Sequence, residues 1–238
     1  MEKLESGAQN LGLYLSPGQL EQFEVYYREL VDWNRKINLT SITDYEEVQT
    51  KHFLDSLTVA TAMPPSTGNN LRVIDVGTGA GLPGIPLKIL LPGIRLTLLE
   101  ATAKKAKFLG HLMERLGLDS VEIVVGRAEE AAHEVQYREK FDLVLSRAVA
   151  SLPALVELTL PFCTAGGRFV AQKKGDIEQE VKQSYKAIAA MGGRLSEIRL
   201  IELEKLDDKR YLIIIDKVKS TPAEYPRRPG MPAKRPII

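Results

Sequence analysis

Asp75, Gly77, Gly79 and Gly81 stand at alternate positions at the end of an apolar run that begins at Leu71. Glu100 closes a second apolar run, Ile94 to Leu99, 23 residues after Gly77. Short β-branched runs of this kind are buried on both faces of a parallel sheet. Glycines directly after one let the backbone turn sharply and let a ligand approach without a Cβ in the way. Pro83 to Leu91 reads as a short helix stopped by Pro92 and Gly93. The unit is strand, loop, helix, strand, with a ligand expected at the carboxyl ends of the strands. A pyrophosphate is a poor fit. The dinucleotide fingerprint needs glycine at the first, third and sixth loop positions, and here these are Gly77, Gly79 and Leu82, with Gly81 one place too early. Asp75 would repel phosphates but suits a ligand carrying an ammonium and a sulfonium group. Glu100 is placed to accept hydrogen bonds from ribose hydroxyls.

The elements that must position these residues follow from periodicity. The first 65 residues read as helical: Ser16-Pro17-Gly18-Gln19 is a capping box with Pro in the first turn. Leu20, Phe23, Tyr27, Leu30 and Val31 then mark one helix face, and Thr43 with Glu46 predicts a second capping box. Residues 63–70 read as a linker. Strands at 121–125, 141–145 and 168–172 alternate with helices at 104–116, 129–135, 153–160 and 177–191, with a turn at Gly166-Gly167. A final antiparallel hairpin pairs 195–203 with 211–218 through residues 204–210. These elements predict an α/β fold: a doubly wound, mostly parallel seven-stranded sheet with an antiparallel edge and an N-terminal helical segment. The expected divisions are 1–65 (helical segment packed on the core), 66–218 (ligand-binding domain) and 219–238 (basic, Pro-rich tail).

Composition limits the alternatives. The chain has 238 residues, 44% of them hydrophobic and 26% charged, as expected of a soluble globular protein with a good core. The single cysteine, Cys163, excludes intramolecular disulfides and thiolate clusters and reads as buried filler. With no basic-apolar start and no run near the ~18 residues of a membrane span, a cytoplasmic protein with no membrane partner and no metal is expected. A net charge of +1 does not announce a nucleic-acid binder. From Lys219 onward, however, Arg227, Arg228, Lys234 and Arg235 face one acid, Glu224, in a proline-stiffened tail. That tail reads either as a solvated end or as an arm reaching a polyanion.

Two further strand ends border the expected crevice. Arg127-Ala128-Glu129 follows Val125, and Ser146-Arg147-Ala148 follows Leu145. Backbone at Ala128 and Glu129 is placed for an adenine, and Arg147 for the junction of cofactor and acceptor. No Asn/Asp-Pro-Pro-aromatic motif stands there for an exocyclic amine, and no cysteine for pyrimidine carbon 5. His52, His111 and His133 lie outside the strand-end motifs. A ring nitrogen such as guanine N7 has a free lone pair and needs orientation more than a base. These absences therefore favour it weakly.

The pattern Asp75-x-Gly77-x-Gly79-x-Gly81 resembles the first motif of class I S-adenosylmethionine-dependent methyltransferases. Six segments sharpen this: 33–40 (Trp33 to Thr40), 52–57 (His52 to Leu57), the whole loop 77–84, Arg127-Ala128-Glu129, Ser146-Arg147-Ala148 and Tyr225-Pro226-Arg227. Together they resemble, essentially end to end, the bacterial ribosomal RNA small-subunit methyltransferase G family, also called glucose-inhibited division protein B. Thr78 stands where that family commonly has serine. The resemblance implies methyl transfer from S-adenosylmethionine to N7 of a guanine in small-subunit (16S) ribosomal RNA, with cofactor contacts at Gly77, Leu82, Ala128, Glu129 and Arg147. The residue reading adds Asp75, Gly79 and Glu100 to the cofactor set, makes Arg147 the catalytic candidate, and expects Lys173, Lys174, Arg227 and Arg228 to face RNA. Trp33, Asn38, His52 and Asp55 serve either the site or the packing of the helical segment. A nucleotide-binding oxidoreductase and a non-catalytic RNA-binding module are the competing readings.

Overall fold

The apolar runs become one seven-stranded sheet in the computed structural model, which describes residues 1–64, 70–147, 150–203 and 209–238. β1 (Arg72–Val76), β2 (Arg95–Glu100), β3 (Val121–Val125), β4 (Phe141–Arg147) and β5 (Cys163–Lys174) are parallel. β6 (Gly193–Ile201) and β7 (Arg210–Lys217) complete the order β3-β2-β1-β4-β5-β7-β6. The expected antiparallel hairpin forms one edge of the sheet, with its second strand on the inside. β7 inserts between β5 and β6 and is antiparallel to both. The reason is burial: Leu212 to Ile215 form an unbroken buried run, whereas β6 is exposed or half-buried except at Ile201 and suits the rim.

Side chains alternate across the sheet. Val73, Leu143, Leu145, Leu212 and Ile214 enter one apolar layer, and Ile74, Val144, Ile213 and Ile215 the other. The first layer is covered by α1 (Glu2–Asn10), α2 (Pro17–Asn34), a helical run through residues 45–62, α5 (Gly84–Leu90) and α6 (Ala103–Leu116). That run consists of α3 (Tyr45–Glu47), a π-helical stretch (Val48–Leu54), α4 (Asp55–Leu57) and a 3-10 turn (Thr58–Ala62). The second layer is covered by α7 (Ala128–Ala131), α8 (Leu152–Thr159) and α9 (Glu178–Ala190). Leu4, Phe23, Tyr26, Leu30, Phe53 and Leu57 thus share a core with Val73 and Leu98. A last short helix, α10 (Met231–Lys234), lies in the C-terminal segment.

Two polar ties aim the N-terminal helices at the glycine loop. Gln19, half of the expected capping box with Ser16, also donates to the Ile89 carbonyl at 2.6 Å. The Tyr26 hydroxyl donates to the Ala80 carbonyl at 2.6 Å. The second expected cap shifts by one residue. Asp44, not Thr43, accepts from the Glu46 and Glu47 amides at 3.0 Å, a carboxylate being favoured at the positive end of a helix, while the Thr43 carbonyl accepts from Tyr27. The helix expected over 129–135 is only Ala128–Ala131. At Gly166-Gly167 the strand continues through a bulge, with Gly166 at φ +85°, instead of turning back. Cys163 is buried filler whose thiol burial pushes up to about 12. Most of the linker (65–69), Ala148, and 204–208 of the hairpin connection lie outside the described residues. No described helix is long and apolar enough to cross a membrane.

Replacing Asp44 by alanine should cost about 1 kcal/mol of unfolding free energy in urea. Thr43→Ala should stay within about 0.5 kcal/mol. Equal losses would return the cap to Thr43.

Candidate active site

At the carboxyl end of β1 the backbone turns left-handed three times, at Gly77 (φ +72°), Gly79 (+60°) and Gly81 (+94°). The three glycines differ in purpose. A Cβ on Gly81 would strike the Ile85 side chain at 2.2 Å and the Tyr26 hydroxyl at 2.9 Å, so that position serves packing. A Cβ on Gly79 would meet nothing nearer than a carbonyl oxygen at 4.0 Å and would project into open space. That space is a cleft of about 410 Å³ lined by Gly77, Gly79, Leu82, Glu100, Lys105 and Arg147, with Thr40 and His52 from the helical segment. The close helix packing missing at Leu82 is supplied by Gly84, where a Cβ would meet Asp75 at 2.9 Å.

Asp75 lies beneath the loop, wholly buried, and does not line the cleft. Its Oδ2 accepts from the Thr78 hydroxyl at 2.7 Å and the Gly84 amide at 2.9 Å, so it holds the loop's shape. Its Oδ1 is buried with no hydrogen-bond partner among the described residues, and burial raises the carboxyl to about 6. Glu100 accepts from the Gly79 amide at 3.0 Å and the Thr102 amide at 2.8 Å. Each carboxylate oxygen has a second lone pair, so both remain able to accept from a diol. An open left-handed glycine beside a strand-end glutamate, on a loop that buried Asp75 shapes from beneath, fits a ligand carrying a ribose.

Arg147, at the end of β4, links this cleft to a second one. Its guanidinium donates to Asp55 Oδ2 at 3.0 Å and approaches His52 Nδ1 at 3.4 Å. Asp55 is also 3.6 Å from Arg210, and its carbonyl accepts from the Gln172 amide at 2.6 Å. The second cleft, about 640 Å³, is lined by Lys51, His52, Asp55, Arg147, Gln172, Lys173, Lys174, Glu180 and Arg210, with Ser41, Ile42 and Ala150. Its five Lys and Arg side chains outnumber the two carboxylates, and His52 adds no charge at neutral pH. Burial, then the neighbouring Arg147, lowers His52 to about 4. Arg147 and His52 line both clefts.

The structure thus gathers Gly77, Gly79, Leu82, Glu100 and Arg147 at one cleft and Arg147, Lys173 and Lys174 at the next. Lys173 donates to Glu180 at 2.8 Å and to the Ala150 carbonyl at 2.7 Å. Ala128 and Glu129 stand beside the Glu100 strand end, where the Gly126 amide donates to the Glu100 carbonyl, but outside the cleft lining. The two tail arginines part company. Arg228 is exposed, whereas Arg227 turns inward and binds fully buried Glu157 through two guanidinium nitrogens at 2.9 and 2.7 Å. Arg227 is therefore not part of a solvated end: its guanidinium is held by Glu157 and the Arg235 carbonyl. The overlooked signal was Glu157 itself, the lone acid in an apolar helix, which needs a buried partner. Thr40, Ser41, Lys105, Gln172 and Arg210 also escaped the sequence reading, because only the fold brings them to the clefts. Among the described residues no group of three or more His, Cys, Asp or Glu side chains could hold a metal ion.

This fold and loop define a class I S-adenosylmethionine-dependent methyltransferase. Solved structures with the same fold include the O-methyltransferase from Bacillus cereus in complex with S-adenosylhomocysteine (TM-score 0.56, 21% identity, 81% of this chain and 90% of that one). Another is TYW2 from M. jannaschii in complex with S-adenosylmethionine (TM-score 0.51, 15% identity, 69% and 77%). Residues 19–209 match the family model GidB, rRNA small subunit methyltransferase G. Proteins named ribosomal RNA small subunit methyltransferase G are 52% identical in Dehalococcoides mccartyi, over the whole of both chains, and 46% identical in Lachnoclostridium phytofermentans, over 98% of this chain and 95% of that one. The chain belongs to the rRNA small subunit methyltransferase G family.

Gly79→Val should lower S-adenosylmethionine affinity at least about tenfold, because its side chain would fill the cleft from a strained left-handed backbone. Calorimetry on protein with an unchanged circular dichroism spectrum is the check. Unchanged affinity would move the cofactor elsewhere.

Proposed function

We propose that the chain methylates N7 of a guanine in small-subunit ribosomal RNA in the cytoplasm, with the cofactor over the glycine loop and the acceptor nucleotide in the second, cationic cleft. The observation that carries this reading is the shared wall: Arg147 and His52 line both clefts, so the two clefts adjoin at these side chains. S-adenosylmethionine supplies an electrophilic methyl group on a sulfonium. Gly77 and Gly79 leave room for its methionine part, Glu100 accepts from its ribose, and Ala128 and Glu129 offer backbone to its adenine. Excess Lys and Arg in the second cleft suit the phosphates flanking an RNA base, which fix register without reading sequence. Lys105, at the cofactor cleft, with Lys104 and Lys107 on the same helix, extends that cationic rim, and Arg228 is a further exposed contact.

The acceptor chemistry follows from what the side chains can do. The N7 lone pair forms the new bond to carbon, the electron pair of the carbon–sulfur bond stays on sulfur, and no proton moves. Positive charge passes from sulfur to the purine, so alignment counts for more than stabilising new charge. His52, held near 4, is a weak base, and the Asp55 carboxylate is occupied by Arg147. Both facts favour an acceptor that needs no deprotonation.

The test is transfer from labelled S-adenosylmethionine to free small-subunit RNA and to intact subunits, with the product base identified. 7-Methylguanine is expected, and any other methylated base would sink the proposal. Since His52 takes up a proton only as pH falls toward 4, it stays neutral across the physiological range. Single-turnover rates at saturating RNA and cofactor should then be flat from about pH 7 to 9. A tenfold rise over that window, abolished by His52→Gln, would show base catalysis instead.

A further inference from the structure

The C-terminal segment binds the protein at a place that no RNA arm would require. Arg227 contributes its backbone amide (2.8 Å) and two guanidinium nitrogens to Glu157 of α8, and its guanidinium also donates to the Arg235 carbonyl at 2.7 Å. Glu157 is fully buried, so the pair is a fixed anchor, and a buried carboxylate stripped of its partner is strongly destabilising. Three residues after this anchor, the Gly230 amide donates to Glu129 Oε1 at 2.8 Å. Just upstream, Arg138 donates to the Thr221, Pro222 and Tyr225 carbonyls at 2.8–3.0 Å, and His133 Nε2 pairs with the Pro226 carbonyl at 2.8 Å.

The Gly230, His133 and Arg138 bonds converge on α7 and the residues just after it, while the Arg227 bonds hold the tail on α8. α7 is only four residues long, and no side chain caps its first turn. So short a helix has little stability of its own. Its position is therefore set from outside, by the tail on one side and the sheet on the other. Because the Glu129 carboxylate is engaged by Gly230, the Ala128–Glu129 turn is left to meet a ligand with its backbone.

We propose that the C-terminal segment is a clamp that positions the adenine subsite: Arg227 and Glu157 lock the tail onto α8, and Gly230 then fixes Glu129 so that the Ala128–Glu129 backbone reads the adenine. The inference rests on the adenine lying at that turn, as in the proposed function. Arg227 and Glu157 are positioning residues and touch no part of the cofactor.

Binding to S-adenosylhomocysteine and to S-inosylhomocysteine, which lacks the 6-amino donor, tests both layers by calorimetry. The variants are Arg227→Gln/Glu157→Gln, which leaves no buried charge unpaired, the milder Arg227→Lys, and Arg228→Ala as the exposed control. Wild type and Arg228→Ala should prefer the adenosyl ligand at least about tenfold. In the double variant the preference should fall to about twofold or less, with Arg227→Lys between, while the inosyl affinity stays nearly constant. A wild-type protein indifferent to the 6-amino group would overturn the adenine placement itself. Wild-type discrimination that persists in the folded double variant, or in Arg227→Lys should the double variant not fold, would overturn the clamp. A uniform loss for both ligands would likewise reduce Arg227 to a stability role.

Discussion

Asp55 is the point on which the rest of the site depends. It sits in the helical segment, yet its carboxylate holds Arg147 at the end of β4 and lies near Arg210 at the start of β7, while its carbonyl accepts from Gln172 on β5. Burying a carboxylate costs several kcal/mol unless partners offset the lost hydration, and here they come from two strands, while a third, through Gln172, holds the Asp55 carbonyl. The consequence is geometric. The N-terminal helices cannot slide over the sheet without stranding Asp55, so Thr40 and His52 stay fixed over the glycine loop and the two clefts keep a common wall. The π-helical stretch that carries His52 and runs directly into Asp55 has the irregular hydrogen bonding often found at functional sites.

The same logic recurs on the opposite side of the sheet, where Glu157 and Arg227 bind the C-terminal segment to α8. The N-terminal helical segment and the C-terminal segment are therefore each fixed to the core by a carboxylate–guanidinium pair, Asp55 with Arg147 and Glu157 with Arg227. Between them the loop is shaped from beneath by Asp75, which accepts from the Thr78 hydroxyl and the Gly84 amide, and from the side by Glu100, which accepts from the Gly79 and Thr102 amides. The cleft is left to be lined by glycine backbone, Leu82, Glu100, Lys105 and Arg147, with Thr40 and His52 from the helical segment.

What the sequence made legible was local. The glycine loop, the strand-end acid and the alternation of strand and helix are contiguous patterns, and family motifs added the chemistry. The order of β6 and β7 was not legible, because a hairpin can present either strand to the sheet and only the greater burial of Leu212 to Ile215 decides it. The second cleft was not legible either. Ser41, Asp55, Arg147, Gln172 and Arg210 come from five elements or connections with no shared spacing. The tail misled through composition: prolines and arginines suggest solvent, and only its pairing with a buried acid 70 residues earlier overrides that.

The most direct test of the account is a double-mutant cycle on the single-turnover methyl-transfer rate, using Asp55→Ala, Arg147→Ala and the double variant with small-subunit RNA and saturating S-adenosylmethionine. If Asp55 acts by holding Arg147, Arg147→Ala should lower the rate by about two orders of magnitude, and the double variant should be hardly slower than Arg147→Ala alone. Losses that simply add in free energy would mean that the two residues act independently, and the shared wall would no longer explain how acceptor and cofactor meet.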